Sequence, residues 1–124
     1  MKDRIIIIAS LRLKEGQRKN LEKTVKELQA HCDKTEAGML QYDWYLSETT
    51  DTIKVLETYE NSEAVLFHFD NYKPFSPLLE SSRAFVSLEV YGNASPELRQ
   101  RVQKIKAEHF SCLSELNKLS RTME

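Results

Sequence analysis

The chain has 124 residues, of which 40% are hydrophobic and 30% are charged, and its 18 basic and 19 acidic residues leave a net charge of -1. This length suits one globular domain with a modest core, and the near-neutral charge excludes a strong general attraction to nucleic acid or anionic lipid. We therefore expect no nucleic-acid partner and no membrane partner. The apolar run near the N-terminus is too short for a signal sequence or a membrane span, which predicts a cytoplasmic protein.

The first half of the chain predicts one strand, one helix and a β-hairpin. Residues 4–13 are β-branched and aliphatic, which is typical of a strand, whereas residues 17–34 carry apolar side chains at the spacing of an amphipathic helix. Residues 39–47 and 53–59 each alternate between apolar and polar side chains, so we expect two more strands. The polar link of residues 48–51 would close them into a hairpin.

The second half predicts a short helix, an interrupted segment, a strand and a long C-terminal helix. Asn61 or Ser62 is a suitable N-cap for the short helix, and two prolines in residues 72–82 indicate a loop or a broken helix. Residues 83–91 predict a fourth strand, and Ser95, followed by a proline, begins the long helix. An apolar stripe with heptad spacing follows at Leu98, Val102, Ile105, His109, Cys112, Leu116 and Leu119, widened by Phe110 and Leu113. This stripe would pack either on its own domain or on a partner chain.

Pairing across the predicted hairpin collects aromatic side chains on one face of the sheet. With Ser47 opposite Thr52, the facing pairs are Trp44 with Val55, Tyr42 with Glu57, and Leu40 with Tyr59. If the helices cover that face, these residues and the segment from Tyr72 to Phe75 would line an apolar pocket suited to a flat organic ligand. An ordinary core filled by aromatic residues is equally consistent with the pattern. The mid-strand carboxylate of Glu57 needs a partner, which Tyr42 or His68 could supply.

The chain has few candidate catalytic or metal-binding residues. His68 is the best candidate, because an imidazole titrates near neutral pH and this one lies on a predicted helix among apolar neighbours. A partly buried structural histidine is an equally good interpretation. Cys32 and Cys112 lie far apart without metal-ligand spacing, and we expect them to be reduced and buried on helix faces. The sequence therefore predicts no metal site and no cofactor.

The order of the elements, βαββαβ, predicts an α+β domain with a ferredoxin-like, four-stranded antiparallel sheet and helices on one face. Ile5 to Ile8 make the first strand apolar on both faces, whereas a sheet with one solvated face should alternate. A second copy of the same sheet is the simplest cover, which predicts a homodimer packed through its sheet faces. We place this domain at residues 4–92 and a C-terminal helical extension at residues 93–124.

Three short motifs resemble the antibiotic biosynthesis monooxygenase family, whose members are dimeric α+β barrels. Residues 36–40 (EAGML) resemble the family's E-P-G-C-L turn, and residues 55–59 (VLETY) resemble its strand that ends in E-x-W/Y. Residues 62–64 (SEA), followed by His68, are similar to the family's helix start and histidine. In this order, over about residues 4–92, the motifs indicate the fold more specifically than the reaction.

The resemblance implies roles for the residues of the predicted pocket. His68 matches the family's histidine that faces the cavity and would be the base, while Tyr59 matches a pocket aromatic residue and, with Tyr72, would hold a developing oxyanion. Trp44 would pack on the substrate ring. His68 and Tyr59 would thus be catalytic, and the substrate would be bound by Tyr42, Trp44, Val55, Glu57, Phe67, Tyr72 and Phe75.

The implied function is that of a cofactor-independent monooxygenase that oxidises a small aromatic or quinol-like compound. In that chemistry a deprotonated, electron-rich substrate reacts directly with oxygen. Haem degradation is disfavoured, because Ala9 stands where that branch has an asparagine, and residues 76–79 lack its second histidine. Two alternatives remain open. One is a non-catalytic dimeric domain that binds a small ligand. The other is an isomerase of a small phosphorylated sugar-like compound, because residues 64–68 resemble a helix segment of that branch of the family.

Overall fold

The computed structural model describes residues 3–116 and Lys118. Its elements in chain order are strand β1 (Ile5–Leu13), helix α1 (Arg18–Thr35), strands β2 (Met39–Leu46) and β3 (Thr52–Tyr59), helix α2 (Ser62–Asn71), a single 3-10 turn (Lys73–Phe75), helix α3 (Ser76–Ser82), strand β4 (Arg83–Tyr91), helix α4 (Pro96–Gln103) and strand β5 (Glu108–Phe110). The predicted strands and the first helix are therefore present within about one residue of their expected bounds, and the proline-containing segment is a broken helix.

The sheet has five strands in the order β2-β3-β1-β4-β5. Strand β1 lies in the centre, antiparallel to β3 on one side and to β4 on the other, which is the ferredoxin-like arrangement. The predicted α+β ferredoxin-like fold is thus confirmed. The predicted count of four strands is wrong, because β5 adds a short parallel strand at the outer edge of β4.

The core lies between one face of this sheet and the helices. Along β1 the buried apolar side chains are every second residue, namely Ile5, Ile7, Ala9 and Leu11, and Ser10 between the last two is also buried. Helix α1 contributes the apolar stripe that its sequence spacing predicts, namely Leu21, Val25, Leu28 and Cys32. Burial of such side chains stabilises the fold by roughly 25 cal/mol for each Å² of apolar surface removed from water.

The hairpin of β2 and β3 has the predicted register through most of its length. Trp44 pairs with Val55 and Tyr42 pairs with Glu57, and these residues share the face that the helices cover. The two strands are closed by a hydrogen bond of 2.9 Å from the Ser47 amide to the Thr52 carbonyl.

The open end of the same hairpin departs from the prediction. A register shift between Met39 and Gln41 places Met39 opposite Tyr59, so the predicted pairing of Leu40 with Tyr59 is wrong. A bulge of this kind inserts one unpaired residue, and alternation of apolar and polar side chains does not reveal it.

The predicted long C-terminal helix is also wrong, since α4 ends at Gln103. Lys106 has a positive φ of 55° that turns the chain back toward the sheet. The Gly92 amide then donates a hydrogen bond of 2.9 Å to the Phe110 carbonyl, and the Phe110 ring stacks on Tyr91 at 4.8 Å. The unpaired backbone groups at the edge of β4 thus draw the segment into the sheet.

The C-terminal apolar stripe therefore does not form one continuous surface. Leu98 and Val102 on α4 are buried in the core, whereas Leu113 is fully exposed. Cys112 is exposed rather than buried on a helix, while Cys32 is buried as predicted. Leu119 lies outside the described residues. The division of the chain into residues 4–92 and residues 93–124 stays a prediction.

The second face of the sheet is only partly apolar. Ile6 on β1 and Val86 on β4 expose 36% and 51% of their surface. The polar part of this face lies on β2, two strands from β1, where the Gln41 side-chain amide donates a hydrogen bond to Asp43. This mixture leaves the sheet-to-sheet homodimer a prediction. Among the described residues, no helix is both long enough and apolar enough to cross a membrane.

Candidate functional site

A cavity of about 360 Å³ opens between the helix-covered face of the sheet and the helices. Most of its lining is apolar or aromatic, with residues such as Ala9, Leu11, Val55, Leu79, Phe85 and Leu88. Its polar groups fall into two sets. We call Glu36, Glu57, Tyr59 and His68 the acid–base cluster, of which Glu57 and His68 line the cavity. We call Lys73, Arg83 and Arg101, which all line the cavity, the cationic rim.

The structure brings six of the nine predicted site residues to this cavity. They are Tyr42, Trp44, Val55, Glu57, His68 and Tyr72. Strands β2 and β3 supply the first four from facing positions, because every second side chain of a strand points to the same face. The last two come from α2 and the residue that ends it.

The other three predicted residues lie elsewhere. Tyr59 is fully buried behind the lining, where its ring centroid is 5.8 Å from that of His68. Phe67 is 51% exposed on α2 and is absent from the lining. Phe75 packs against His31 at 5.5 Å, outside the cavity. A substrate contact of Phe67 or Phe75 is therefore not supported by this geometry.

His68 is buried, with 3% of its surface exposed, and it is held from two sides. Its Nδ1 lies 2.8 Å from Oε2 of Glu36, and its Nε2 lies 4.0 Å from Oε1 of Glu57. Tyr72 stacks on the imidazole at 5.4 Å, and Tyr42 meets it edge-on at 4.9 Å. Because an ionised Glu36 can only accept, Nδ1 donates a hydrogen, which leaves Nε2 as the proton acceptor beside the cavity.

Glu36 is the residue that sequence reasoning missed. It ends α1, is 6% exposed, and accepts a second hydrogen bond of 3.0 Å from the Asn71 amide. Burial alone would raise the pKa of Glu36, but the hydrogen bonds from His68 and Asn71 outweigh it and hold that pKa below its usual value. Glu36 therefore stays ionised next to the imidazole.

A signal for Glu36 is present in the sequence. The buried stripe of α1 runs through Leu28 and Cys32, and Glu36 occupies the next position at the same spacing of four residues. A carboxylate that continues an apolar stripe must find a partner inside the protein. The close approach of α2 supplies it, since a Cβ on Gly38 would lie only 2.7 Å from the Cβ of Ala64.

The pKa of Glu57 is shifted in the opposite direction to that of Glu36. Burial raises the pKa of the Glu57 carboxyl above its usual value, although His68 and a hydrogen bond from Tyr59 act to lower it. That hydrogen bond joins the Tyr59 hydroxyl to Oε1 of Glu57 over 2.5 Å. Burial also raises the pKa of both Tyr42 and Tyr59 well above the usual value, so both are neutral phenols at physiological pH.

The predicted partner of Glu57 is thus only half correct. His68 does lie beside it, but Tyr59 rather than Tyr42 donates the hydrogen bond. The two residues are two apart on β3 and share the buried face, which brings the hydroxyl to the carboxylate.

Within the described part of the chain, one group of residues combines ligand types that metals use. The ligand atoms of Cys32, Glu36 and His68 all lie within 4.8 Å of one another. Hydrogen bonds account for this arrangement, because Glu36 already accepts from His68 and Asn71. Burial raises the pKa of the Cys32 thiol strongly, so it is a neutral thiol rather than a thiolate.

The three cations of the cationic rim differ from one another in whether a carboxylate neutralises them. Asp70 accepts from Arg101 over 2.9 Å and from Lys73 over 3.1 Å, and these interactions hold the pKa of its carboxyl below the usual value. Arg83 has no such partner among the residues that the structure describes, and its Nε is shielded from solvent without a hydrogen bond.

Known proteins share this fold. MupZ from Pseudomonas fluorescens is 18% identical over 95% of this chain and 97% of its own, with a TM-score of 0.85. A putative antibiotic biosynthesis monooxygenase from Caulobacter crescentus is 24% identical over 76% of this chain and 92% of its own, with a TM-score of 0.68. SnoaB, a cofactor-independent oxygenase from Streptomyces nogalater, is 9% identical over 75% and 95%, with a TM-score of 0.64.

The family is shown by sequence. No curated protein matches the chain closely. The family model described as antibiotic biosynthesis monooxygenase matches residues 4–73, which is more than half of the 124 residues and includes α2 with His68. This chain therefore belongs to the antibiotic biosynthesis monooxygenase family.

Proposed function

We propose that this protein is a cofactor-independent monooxygenase that oxidises a small aromatic or quinol-like compound in the cavity. The observation that carries the proposal is the pair of Glu36 and His68, in which a buried carboxylate holds Nδ1 over 2.8 Å. The imidazole is thereby oriented with Nε2 as the proton acceptor in a mostly aromatic cavity. Membership of the family and the oxygenase chemistry of SnoaB support the same reaction class.

His68 acts as the general base in this proposal. Its Nε2 takes a proton from the substrate, and the ionised Glu36 stabilises the imidazolium that forms. The deprotonated substrate is electron-rich and reacts directly with molecular oxygen. One oxygen atom becomes a carbonyl at the reacting ring carbon, and the other leaves as water with the hydrogen of that carbon and the proton that His68 took from the substrate hydroxyl.

Neutral phenols and aromatic rings then position the substrate. Tyr42 and Tyr72 flank the imidazole and can donate to a developing oxyanion, while the Trp44 ring lies beside Tyr42 at 6.0 Å and can pack on the substrate. The Tyr59 hydroxyl is already used by Glu57. We therefore assign Tyr59 to positioning Glu57 instead of to the oxyanion.

Oxygen uptake with a panel of menadiol-type quinols and phenols tests the proposal. For an accepted substrate, His68→Ala should lower turnover by roughly 10²–10⁴-fold, the usual contribution of a general base, while Tyr59→Phe should lower it less. His109→Ala is the matched control, because this half-buried histidine on β5 lies outside the cavity. Full turnover by folded His68→Ala protein excludes the catalytic role.

Proton transfer without oxygen is the second candidate, and one observation favours it. Glu57, whose pKa burial raises, lies next to the imidazole, so that a carboxyl group and an imidazole, two groups that can exchange protons with a substrate, face one cavity as in an isomerase. Exchange of substrate hydrogen for solvent deuterium without oxygen uptake would identify this reaction. Binding with neither exchange nor uptake would leave the binding domain as the function.

Assembly and location belong to the same proposal. We expect a homodimer through the partly apolar second face, with Ile6 and Val86 at the interface and burial of roughly 1,600 Å². Light scattering should then report twice the chain mass of 14.5 kDa. A monomer at micromolar concentration contradicts this assembly. Cytoplasmic location also stays a prediction.

A further inference from the structure

Arg83 lines the cavity but makes no hydrogen bond or ion pair with the acid–base cluster and has no role in the proposed proton transfer. This residue begins β4 and is half-buried in the lining. Its Nε is shielded from solvent and has no hydrogen-bond partner within the described residues. The two terminal nitrogens of the guanidinium are not shielded in this way, and no hydrogen bond or ion pair within the described residues occupies them. They are therefore available to a ligand in the cavity.

The neighbouring charges do not compensate Arg83. Lys73 and Arg101, the other two members of the cationic rim, share one carboxylate, that of Asp70. Glu57 is the carboxylate in the lining, and its partners are Tyr59 and His68. The cavity therefore carries a local excess of positive charge on a chain whose net charge is only -1.

The sheet register separates Arg83 from the acid–base cluster. Arg83 pairs with Leu13 of β1, whereas Glu57 pairs with Ile7 of the same strand. The six intervening steps correspond to about 20 Å along the strand direction between the backbones of Arg83 and Glu57. Even after the long arginine side chain reaches back, the two groups contact different parts of a bound molecule.

We propose that the substrate carries an oxyanion, a carboxylate or a phosphate, which the Arg83 guanidinium binds while the ring lies beside His68. The inference rests on the proposed function, since it assumes that the ligand of this cavity is the compound that reacts. A guanidinium matches the planar oxygens of these anions and forms charge-assisted hydrogen bonds with them. Between the two groups, Leu79, Phe85 and Leu88 provide an apolar wall for the body of the ligand.

Binding of charged and uncharged ligands of similar shape tests the proposed anion site without measuring turnover. Calorimetry with the intact protein compares para-hydroxyphenylbutyrate, its uncharged amide, and para-hydroxyphenylpropyl phosphate. The amide should bind about 10- to 100-fold more weakly than the better of the two anions, which is the usual contribution of a hydrogen bond to a charged group. Whichever anion binds more tightly identifies the carboxylate or the phosphate class.

Variants assign the preference to one side chain. Arg83→Gln should remove most of the difference between anion and amide, and Arg83→Lys should restore part of it. Arg12→Gln is the matched control, because Arg12 is an exposed arginine on β1 outside the cavity. Equal binding of anion and amide, no measurable binding of any probe, or an unchanged preference in folded Arg83→Gln protein each overturns the inference. An Arg83-dependent preference without oxygen uptake upholds it and counts against the oxygenase alone.

Discussion

The acid–base cluster and the cationic rim occupy the same cavity but satisfy their polar groups in different ways. In the cluster, Glu36 accepts from His68, and Glu57 accepts from Tyr59, so the buried partners hold one another. In the rim, the exposed cations share Asp70, and Arg83 is left without a partner among the described residues. The fold thus supplies partners for most polar atoms of the cluster, although Oε1 of Glu36 is shielded without a hydrogen bond, whereas Arg83 of the rim is available to a ligand.

The acid–base cluster should therefore contribute mainly to the stability of the fold, and the cationic rim mainly to ligand binding. Groups that are buried with their partners stabilise the fold, and removal of one partner leaves the other without a hydrogen bond in a poorly solvated place. Exposed ion pairs contribute little to stability, with a median of about 0–1 kcal/mol, because water and salt screen them. Substitutions that remove a hydrogen-bonding partner from the cluster should therefore lower the free energy of unfolding, and those in the rim should change mainly the binding of ligands.

The largest effect is expected for Glu36→Ala. The change leaves Nδ1 of the buried His68 without its acceptor and removes one of the two acceptors of the Asn71 side-chain amide, which still donates to Thr35, so the free energy of unfolding should fall by about 2–4 kcal/mol. Urea unfolding followed by circular dichroism measures it. Glu27→Ala, an exposed glutamate on the same helix, is the control and should stay within about 0.5 kcal/mol.

The effect of Glu36→Ala also has a predictable pH dependence. Because the pKa of folded Glu36 is lowered, its stabilisation is present above the pKa of the unfolded chain and is lost as the pH falls through the folded value. The difference in free energy of unfolding between wild type and Glu36→Ala should therefore become smaller at acidic pH. A gap that widens there would contradict the ionised state of Glu36.

A smaller effect of the opposite sign is expected for Glu57→Gln. The raised pKa of Glu57 means that its contribution to stability is greatest below the unfolded pKa and is lost as the pH rises through the folded value. Glutamine cannot ionise but can still accept from Tyr59. The melting temperature of the variant should thus rise relative to wild type as the pH increases from the unfolded pKa of about 4.3 through the raised folded value. A difference that does not change with pH would show that Glu57 does not titrate in this range.

The smallest effects on stability belong to the rim. Arg101→Gln removes one exposed bond to Asp70, which solvent screens, so the free energy of unfolding should change little. Arg83→Gln should not lower the free energy of unfolding, because the shielded donor that it removes has no partner in the described structure. The same urea titration measures both. A loss of more than about 2 kcal/mol in Arg83→Gln would mean that the fold needs this side chain, and the contrast between cluster and rim would fail.

Sequence reasoning reached the cluster only in part. It placed Glu57 and the aromatic residues of the hairpin on one face, because alternation along the two strands reports which side chains share a side. It expected the helix of His68 to lie over these residues if the helices covered that face. It left Glu36 in a turn motif, since the contact with His68 joins residues 32 positions apart through the packing of α2. The shielded Nε of Arg83 likewise depends on three-dimensional surroundings that the start of a strand does not reveal.

The sequence by itself determined the order of the strands and helices up to β4, the cap at Ser95, and the register of the hairpin near its turn. It narrowed the cap of α2 to Asn61 or Ser62, and the structure shows that Asn61 is the cap. These features depend on local spacing and on side chains that bond to nearby backbone. The tertiary structure alone decided that α4 stops at Gln103 and that β5 joins the sheet, because the competing partner for that segment, the open edge of β4, exists only after the sheet has formed. It also decided which carboxylate is ionised, since burial and long-range hydrogen bonds set the opposite pKa shifts of Glu36 and Glu57.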